Sequence, residues 1–171
     1  DNHNLAVIED ACHAIRAKYK HKFAGNLGNF GCFSFHPRKA ITTGEGGMVT
    51  THDEILAQKI RRLRDHGAVV NDLQRHLGPR PYILSDHQDA GYNQRMTDLQ
   101  AALGSSQMDR ADEIVQERQM LADRYDQAFS SLQWLRLPCR KPTYEHGYQS
   151  YPCMFIPSNI ESTSIDKINS K

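Results

Sequence analysis

The sequence predicts an α/β fold in which a helical second half leads into a further unit, and three observations support this prediction. A continuous apolar run at residues 5–8 is typical of a strand buried on both faces of a parallel sheet. An aromatic-rich run at 30–35 and a shorter run at 48–50 indicate two more strands. Helix-start signatures at 51–54 and 97–100 each open a run of apolar residues at helical spacing.

The first predicted strand is followed at once by Glu9 and Asp10. Ligands of open α/β sheets bind at the carboxyl ends of the strands, so a carboxylate here lies where a ligand is expected. Residues 15–29 are polar and predict a loop with a short edge strand. The glycine-rich segment 42–47 predicts a tight turn before the strand at 48–50.

The first helical region has a recognisable start and end. Thr51, with Glu54 three residues later, predicts a capping box with Thr51 as the N-cap, and Gly67 predicts the helix end. Residues 68–95 then form a long irregular stretch, and loops of such length are uncommon unless they are functional or mobile.

The second helical region begins at a capping box formed by Thr97 and Gln100 and extends to about residue 130. Its Gly-Ser-Ser segment at 104–106 predicts a bend. Aromatic residues at 134–157 predict strands of a second unit.

Composition limits the class of protein. The chain has 171 residues, of which 39% are hydrophobic and 24% charged, as in a soluble globular protein. Lys and Arg total 21 against 20 Asp and Glu, so the net charge of +1 gives no reason to expect nucleic acid or a membrane as partner. The spacing of the four cysteines and nine histidines predicts reduced thiols and no metal site, and the simplest expectation is a cytoplasmic protein.

Lys39 is the first candidate for chemistry. It lies between the predicted strand at 30–35 and the glycine turn, so a sharp turn would hold it at the sheet edge. A lysine that is desolvated or lies near other cations forms Schiff bases with aldehydes and ketones. The alternative is that Lys39 is an ordinary solvated loop lysine.

Asp10 is the second candidate, because pyridoxal phosphate (PLP) needs an acidic partner that keeps its ring nitrogen protonated. An ionised carboxylate at a buried strand end also needs a cation nearby. The alternative is that Asp10 caps the turn that follows the strand. The pair, with Asp10 preceding Lys39, is more specific than either residue alone.

Five segments together resemble a known family. They are 7–14 (VIEDACHA), 33–39 (FSFHPRK), 41–48 (ITTGEGGM), 64–67 (RDHG) and 91–102 (GYNQRMTDLQAA). In this order the chain resembles, over about residues 5–130, the DegT/DnrJ/StrS family of sugar aminotransferases.

The resemblance implies the fold-type-I architecture of PLP-dependent transferases, as in aspartate aminotransferase. Residues 1–130 would be the C-terminal part of the large PLP-binding domain, and 131–171 the start of a truncated small domain. It also implies a homodimer with shared active sites. Both ends of the chain look cut, which predicts a fragment without the family's N-terminal phosphate-binding turn and ring-stacking aromatic residue.

Carried over position by position, the resemblance assigns Lys39 to a Schiff base with PLP and to proton transfer between the substrate and cofactor carbons. Asp10 would pair with the pyridinium nitrogen, and His13 would lie near the cofactor's phenolic oxygen. Ser34 would hydrogen-bond to the cofactor phosphate.

Asn93 matches the family residue that reaches the phosphate in the partner subunit, and Arg95 is expected to assist it or to meet the substrate's phosphates. The sequence departs from the family at Arg38, where an uncharged residue is more common, at 15–16, and in a longer insert at 68–90. These departures bear on substrate choice and loop shape.

The resemblance implies an aminotransferase that moves an amino group, from glutamate, onto a nucleotide-linked keto sugar. Lys39 argues against the dehydrating relatives, which have His at that position. Two alternatives stay open. One is a transaminase of a non-nucleotide substrate, such as a keto-cyclitol (an inosose) or an aminated benzoate precursor, and the other is a non-catalytic relative that binds PLP or a sugar nucleotide as a regulator.

Overall fold

The computed structural model describes residues 3–70, 76–79, 82 and 84–159. Its strands in chain order are β1 (Ile8–Asp10), β2 (Lys18–Tyr19), β3 (Lys22–Phe23), β4 (Phe30–Ser34), β5 (Gly47–Thr50), β6 (Leu135–Arg136), β7 (Tyr144–Glu145) and β8 (Met154–Phe155). Its helices are α1 (Glu54–Leu63), α2 (Asp98–Met108) and α3 (Ala111–Phe129), with a 3-10 turn at Pro157–Asn159. Among these described helices, none has the length and apolar character needed to cross a bilayer.

The sheet that carries the candidate site has the strand order β1-β4-β5. β1 runs parallel to β4, with Asp10 opposite Cys32. β5 runs antiparallel to β4, with Gly47 opposite Ser34. The strands predicted at 30–35 and 48–50 are therefore confirmed, and the sheet is mixed.

The first strand differs from its prediction. β1 begins at Ile8 rather than at residue 5, and it is an edge strand of the described sheet. Leu5, Val7 and Ile8 are exposed rather than buried, Leu5 at 73%. The prediction assumed a strand covered on both faces, whereas among the described residues β1 lies at the edge of the sheet and these side chains are left exposed.

Glu9 anchors the loop between β3 and β4. Its Oε1 accepts hydrogen bonds from the backbone amides of Leu27 (2.6 Å) and Gly28 (2.7 Å), and its Oε2 accepts one from Gly25 (2.8 Å). Because successive side chains of a strand point to opposite faces, Glu9 acts on the face opposite to Asp10. One carboxylate therefore satisfies three loop amides.

We expect Glu9→Gln to lower the free energy of unfolding by about 2 kcal/mol, because the amide keeps one acceptor oxygen and turns an NH₂ group towards a backbone donor. Urea unfolding of the full-length protein measures this loss. Glu113→Gln is the matched control: Glu113 pairs with Arg110 on an exposed helix surface, so its loss is expected to stay under about 0.5 kcal/mol. Equal losses in the two variants would contradict the anchoring role of Glu9.

The buried core fixes the turn that carries Lys39. Phe35, Ile41 and Ala111 form this core, and Ile41 is only 1% exposed. Four half-buried side chains pack against it: Ile15, Phe33, Met96 and Ile114. Since Phe35 and Ile41 lie on either side of residues 36–40, both ends of the turn are held by apolar packing.

The two predicted helix starts had different outcomes. At α1 the prediction of Thr51 as N-cap was wrong: the N-cap is Asp53, whose side chain accepts hydrogen bonds from two amides of the first turn. Thr51 Oγ1 instead accepts from the amide of Asp53 at 3.1 Å. At α2 the capping box of Thr97 and Gln100 is confirmed.

The helical region is interrupted at a different place from 104–106, the segment for which a bend was predicted. These residues lie inside α2, and the helical region breaks at residues 109 and 110, between α2 and α3. Gly104 serves packing instead, because a Cβ atom there would come within 2.9 Å of Thr43 Cγ2. The glycine lets α2 lie directly against the glycine turn.

Strands are present in the segment 134–157, as predicted. β6 pairs with β8, whereas β7 pairs antiparallel with β2 and joins the sheet β3-β2-β7. Lys18 lies opposite Glu145, and Lys18 Nζ is 2.7 Å from Glu145 Oε2. The domain division near residue 130 stays a prediction. Residues after 159, and 71–75, 80, 81 and 83 of the long stretch, lie outside the described residues.

Candidate active site

Two strand ends and one turn bring the predicted site residues to the same edge of the sheet. β1 and β4 are parallel neighbours, so their carboxyl ends meet. Asp10 is the last residue of β1, and Ser34 is the last residue of β4. Lys39 follows in the turn that leaves β4 at this edge.

Asp10 is held in its ionised form. The thiol and the backbone amide of Cys12 lower the pKa of Asp10, and His13 and Lys39 act in the same direction. The amide bond, from Cys12 N to Asp10 Oδ1, is 3.2 Å long. The interaction with Asp10, together with partial burial, raises the pKa of the Cys12 thiol.

The bond between Cys12 and Asp10 is also the turn cap that was the alternative interpretation of this carboxylate. The two roles are compatible, because an ionised carboxylate has about four lone-pair sites and this cap uses few of them. Asp10 is exposed, so a further donor can reach it.

Backbone hydrogen bonds hold the Lys39 turn closed. The amide of Phe35 donates to Gly46 O at 2.8 Å, and the amide of Thr43 donates to Phe35 O at 3.0 Å. The amide of Lys39 donates to His36 O at 2.9 Å, and the Lys39 residue is half-buried. A half-buried lysine in a closed turn differs from the solvated loop lysine of the alternative interpretation.

An open depression of about 610 Å³ lies beside Lys39. Its walls bring together three predicted residues, His13, Ser34 and Lys39. Four lining residues had no predicted place in the site: His36, Arg38, Gln149 and Ser150. Asp10 does not line the depression itself, but its partner Cys12 lines a smaller cleft that shares His13, Ser34 and Lys39.

The lining of the depression is basic. Arg38 and Lys39 contribute basic side chains, and no carboxylate is among the lining residues that belong to the described part of the chain. Such a surface favours an anion such as a phosphate. Within the described residues, no three His, Cys, Asp or Glu side chains are grouped to hold a metal ion.

Asn93 and Arg95 lie elsewhere. Asn93 forms an isolated backbone bridge with Asp65, and Arg95 is ion-paired with the Asp65 carboxylate, which is only 13% exposed. Neither lines the depression beside Lys39. The role of Asn93 in the site of a partner subunit stays a prediction. The phosphate role of Arg95 stays a prediction.

Gln149 is one of the lining residues that the sequence analysis missed. It lies in the segment after β7, and its side chain hydrogen-bonds to the backbone on both sides of Lys39. The sequence analysis used only the aromatic residues of that segment, which indicate strands. They carry no information about a contact with a distant turn. Arg38 was noted only as a departure, and its place in the lining fits a bearing on substrate choice.

The fold and the lysine turn define a class: the chain has part of the fold of a fold-type-I PLP-dependent transferase, and the predicted fold class is confirmed. The aminotransferase from Psychrobacter cryohalolentis matches with a TM-score of 0.83 and 32% identity, over 99% of this chain and 46% of that protein. Spr1654 from Streptococcus pneumoniae, solved in a PLP-form, matches with a TM-score of 0.77 and 28% identity, over 89% of this chain and 38% of that protein.

The sequence comparison agrees with the structural one. The model of the DegT/DnrJ/EryC1/StrS aminotransferase family matches residues 1–168, and the chain belongs to this family. The GDP-perosamine synthase of Caulobacter vibrioides is 44% identical over 130 residues, which are 76% of this chain. The chain spans 32% of the length of that relative, and less than half the length of each protein named here.

Proposed function

We propose that the full-length protein is a PLP-dependent aminotransferase that moves an amino group from glutamate to a nucleotide-linked keto sugar. The observation that carries this proposal is the meeting of Lys39, Ser34 and His13 at one depression, next to the ionised carboxylate of Asp10. Family membership and the likeness to proteins named as aminotransferases support the reaction class.

The residues present fit PLP by the chemistry of their groups. The amine of Lys39 can condense with an aldehyde, the carboxylate of Asp10 can pair with a protonated ring nitrogen, and the hydroxyl of Ser34 can donate to a phosphate. Ser34 Oγ accepts from the amide of His36 at 3.4 Å, which leaves its hydrogen for another acceptor. When bound, PLP supplies the electron sink that allows an amino group to pass from one substrate to another.

In this proposal Lys39 would hold the cofactor at rest, and its amine would carry a proton at the reacting centre during transfer. Asp10 would keep the ring nitrogen protonated, because its lowered pKa leaves it ionised at neutral pH. Ser34 would hold the phosphate, and His13 would lie near the phenolic oxygen.

The nucleotide-linked substrate is supported by charge. Arg38 adds a basic side chain to the lining where the family more often has an uncharged residue, and the diphosphate of a nucleotide sugar is a suitable anion. A relative whose name contains a GDP-linked sugar, the GDP-perosamine synthase, points to the same substrate class. We also propose a homodimer, in which Asn93 serves the site of the partner subunit.

The test is a half-reaction. The full-length protein is loaded with PLP and mixed with glutamate in the absence of a keto acceptor, and the absorbance of the bound cofactor is followed. We expect conversion to the amine form of the cofactor with release of 2-oxoglutarate. Bound PLP without conversion would favour the non-catalytic regulator. If keto compounds are then added and the amine passes to a keto-cyclitol but to no nucleotide-linked ketone, the transaminase of a non-nucleotide substrate would be favoured.

A further inference from the structure

Three glutamine side chains hydrogen-bond to the backbone of residues 38–45, which include the Lys39 turn and part of the glycine turn after it. Gln107 of α2 accepts a hydrogen bond from the amide of Thr42 at 2.9 Å. Gln100, also on α2, donates to the carbonyl of Glu45 in the glycine turn at 2.9 Å. Gln149 comes from the other side, and it alone of the three bonds to both neighbours of Lys39.

The geometry of Gln149 is that of a clamp. Its Nε2 donates to the carbonyl of Arg38 at 2.7 Å, and its Oε1 accepts from the amide of Ala40 at 2.9 Å. This carbonyl and this amide belong to the two peptide units that flank Lys39. Because the peptide units are planar, tying both of them restrains φ and ψ of Lys39, which set the direction in which its side chain leaves the turn.

The clamp is itself anchored to α3. Arg118 of α3 donates to the carbonyl of Tyr148 at 3.0 Å and to that of Gln149 at 3.5 Å. The Tyr148 residue is 8% exposed, and the hydroxyl of Tyr151 donates to Asp126 of α3. Gln149 therefore acts from a segment that is held against α3 on both sides of it.

We infer that Gln149 is a positioning residue for Lys39: its side-chain amide sets the conformation of the turn so that the amine points into the depression. This inference rests on the proposed function of Lys39. A lysine that moves a proton has to be placed accurately relative to the reacting carbons, so a loosened turn slows transfer more than it weakens donor binding.

Two changes at Gln149 separate its two hydrogen bonds. Gln149→Met has a similar length and makes neither bond, whereas Gln149→Glu keeps the acceptor for the Ala40 amide and loses the donor to Arg38. Gln119→Met is the matched control, because Gln119 donates to the carbonyl of His146 at 2.9 Å in the same segment and makes no bond to the turn.

In the full-length holoenzyme we expect Gln149→Met to lower kcat roughly 10- to 100-fold with KM for glutamate within about twofold of wild type. The kcat of Gln149→Glu is expected to lie between that of Gln149→Met and that of wild type. Gln119→Met is expected to change neither kcat nor KM by more than about twofold. A purely structural loss would lower the amount of folded enzyme, which also lowers the apparent kcat and leaves KM unchanged. The rate is therefore divided by the amount of bound PLP, and a purely structural loss would then leave kcat near the wild-type value.

Amide hydrogen exchange gives a readout that does not depend on activity or on PLP. The Ala40 amide is protected by its bond to Gln149 Oε1. We expect Gln149→Met to speed exchange at Ala40 by about tenfold or more, Gln149→Glu to retain the protection, and Gln119→Met to match wild type.

The outcomes are distinguishable. A kcat of Gln149→Met within twofold of wild type, equal losses in Gln149→Met and Gln119→Met, or a loss confined to KM would each overturn the positioning role. If borohydride traps no cofactor on Lys39 of the wild-type protein, the proposed function fails instead. In that case, unchanged exchange at Ala40 in Gln149→Met would also rule out the clamp.

Discussion

Replacing Lys39 by alanine is expected to slow amino transfer by about 10⁴-fold or more without unfolding the protein. The change removes the amine that lines the depression, and with it both the anchor for the cofactor and the proton carrier. The turn survives, because its bond from the amide of residue 39 to His36 O, at 2.9 Å, is made by the backbone. Rates with glutamate and a nucleotide-linked keto sugar, measured on the full-length protein, check this expectation.

The matched control for this change is Lys59→Ala. Lys59 is an exposed residue on α1, and its removal is expected to leave the rate within about twofold of wild type. Borohydride reduction followed by peptide mapping should place the pyridoxyl group on the Lys39 peptide of wild type and of Lys59→Ala, but not of Lys39→Ala. A Lys39→Ala variant with more than about a tenth of the wild-type rate would refute the role of this lysine.

Asp10→Asn is expected to lower the rate roughly 10²- to 10³-fold, the scale for losing one electrostatic partner of the reacting centre. Asparagine keeps an oxygen that accepts from the Cys12 amide, so the turn is retained, but a neutral amide no longer stabilises a protonated ring nitrogen.

The pH dependence of this effect has a definite sign. The pKa of Asp10 is lowered, so its charge is present above the ordinary carboxyl range and is lost only as the pH falls through the lowered pKa. We therefore expect the ratio of wild-type to Asp10→Asn rates to stay constant from about pH 6 to about pH 9.

Glu9→Gln is the control for Asp10→Asn, because it removes a carboxylate one residue away on the opposite face of β1. The two variants should differ in which quantity they change. Glu9→Gln should lower the urea midpoint and leave the rate of the folded protein unchanged, whereas Asp10→Asn should lower the rate and leave the urea midpoint unchanged. If Asp10→Asn retained the wild-type rate, Asp10 would be left with the turn-capping role that its bond to Cys12 supports.

A local feature of the fold could be predicted where the sequence offered only one candidate pattern for it. The capping box of Thr97 and Gln100 was predicted correctly because both residues and both bonds lie within one turn. At α1, Thr51 and Asp53 are both good N-cap residues two positions apart, and the pattern favoured the wrong one. The sequence did not show that Gly104 serves a contact with Thr43, because Thr43 is distant in the chain.

By itself, the sequence determined the family, and it predicted Asp10 at the carboxyl end of one strand and Lys39 in a turn at the sheet edge. Local patterns sufficed for this, because each of the two residues follows a predicted strand. That β1 and β4 are parallel neighbours, which brings Ser34 to the same edge, was decided by the tertiary structure.

Only the tertiary structure decided that Gln149 reaches the Lys39 turn and that Asn93 and Arg95 lie away from it. The clamp joins residues more than 100 positions apart, and it exists because the segment of Gln149 packs against α3 through Arg118. Contacts of this kind leave no periodicity or spacing in the sequence, since they depend on how separate elements pack.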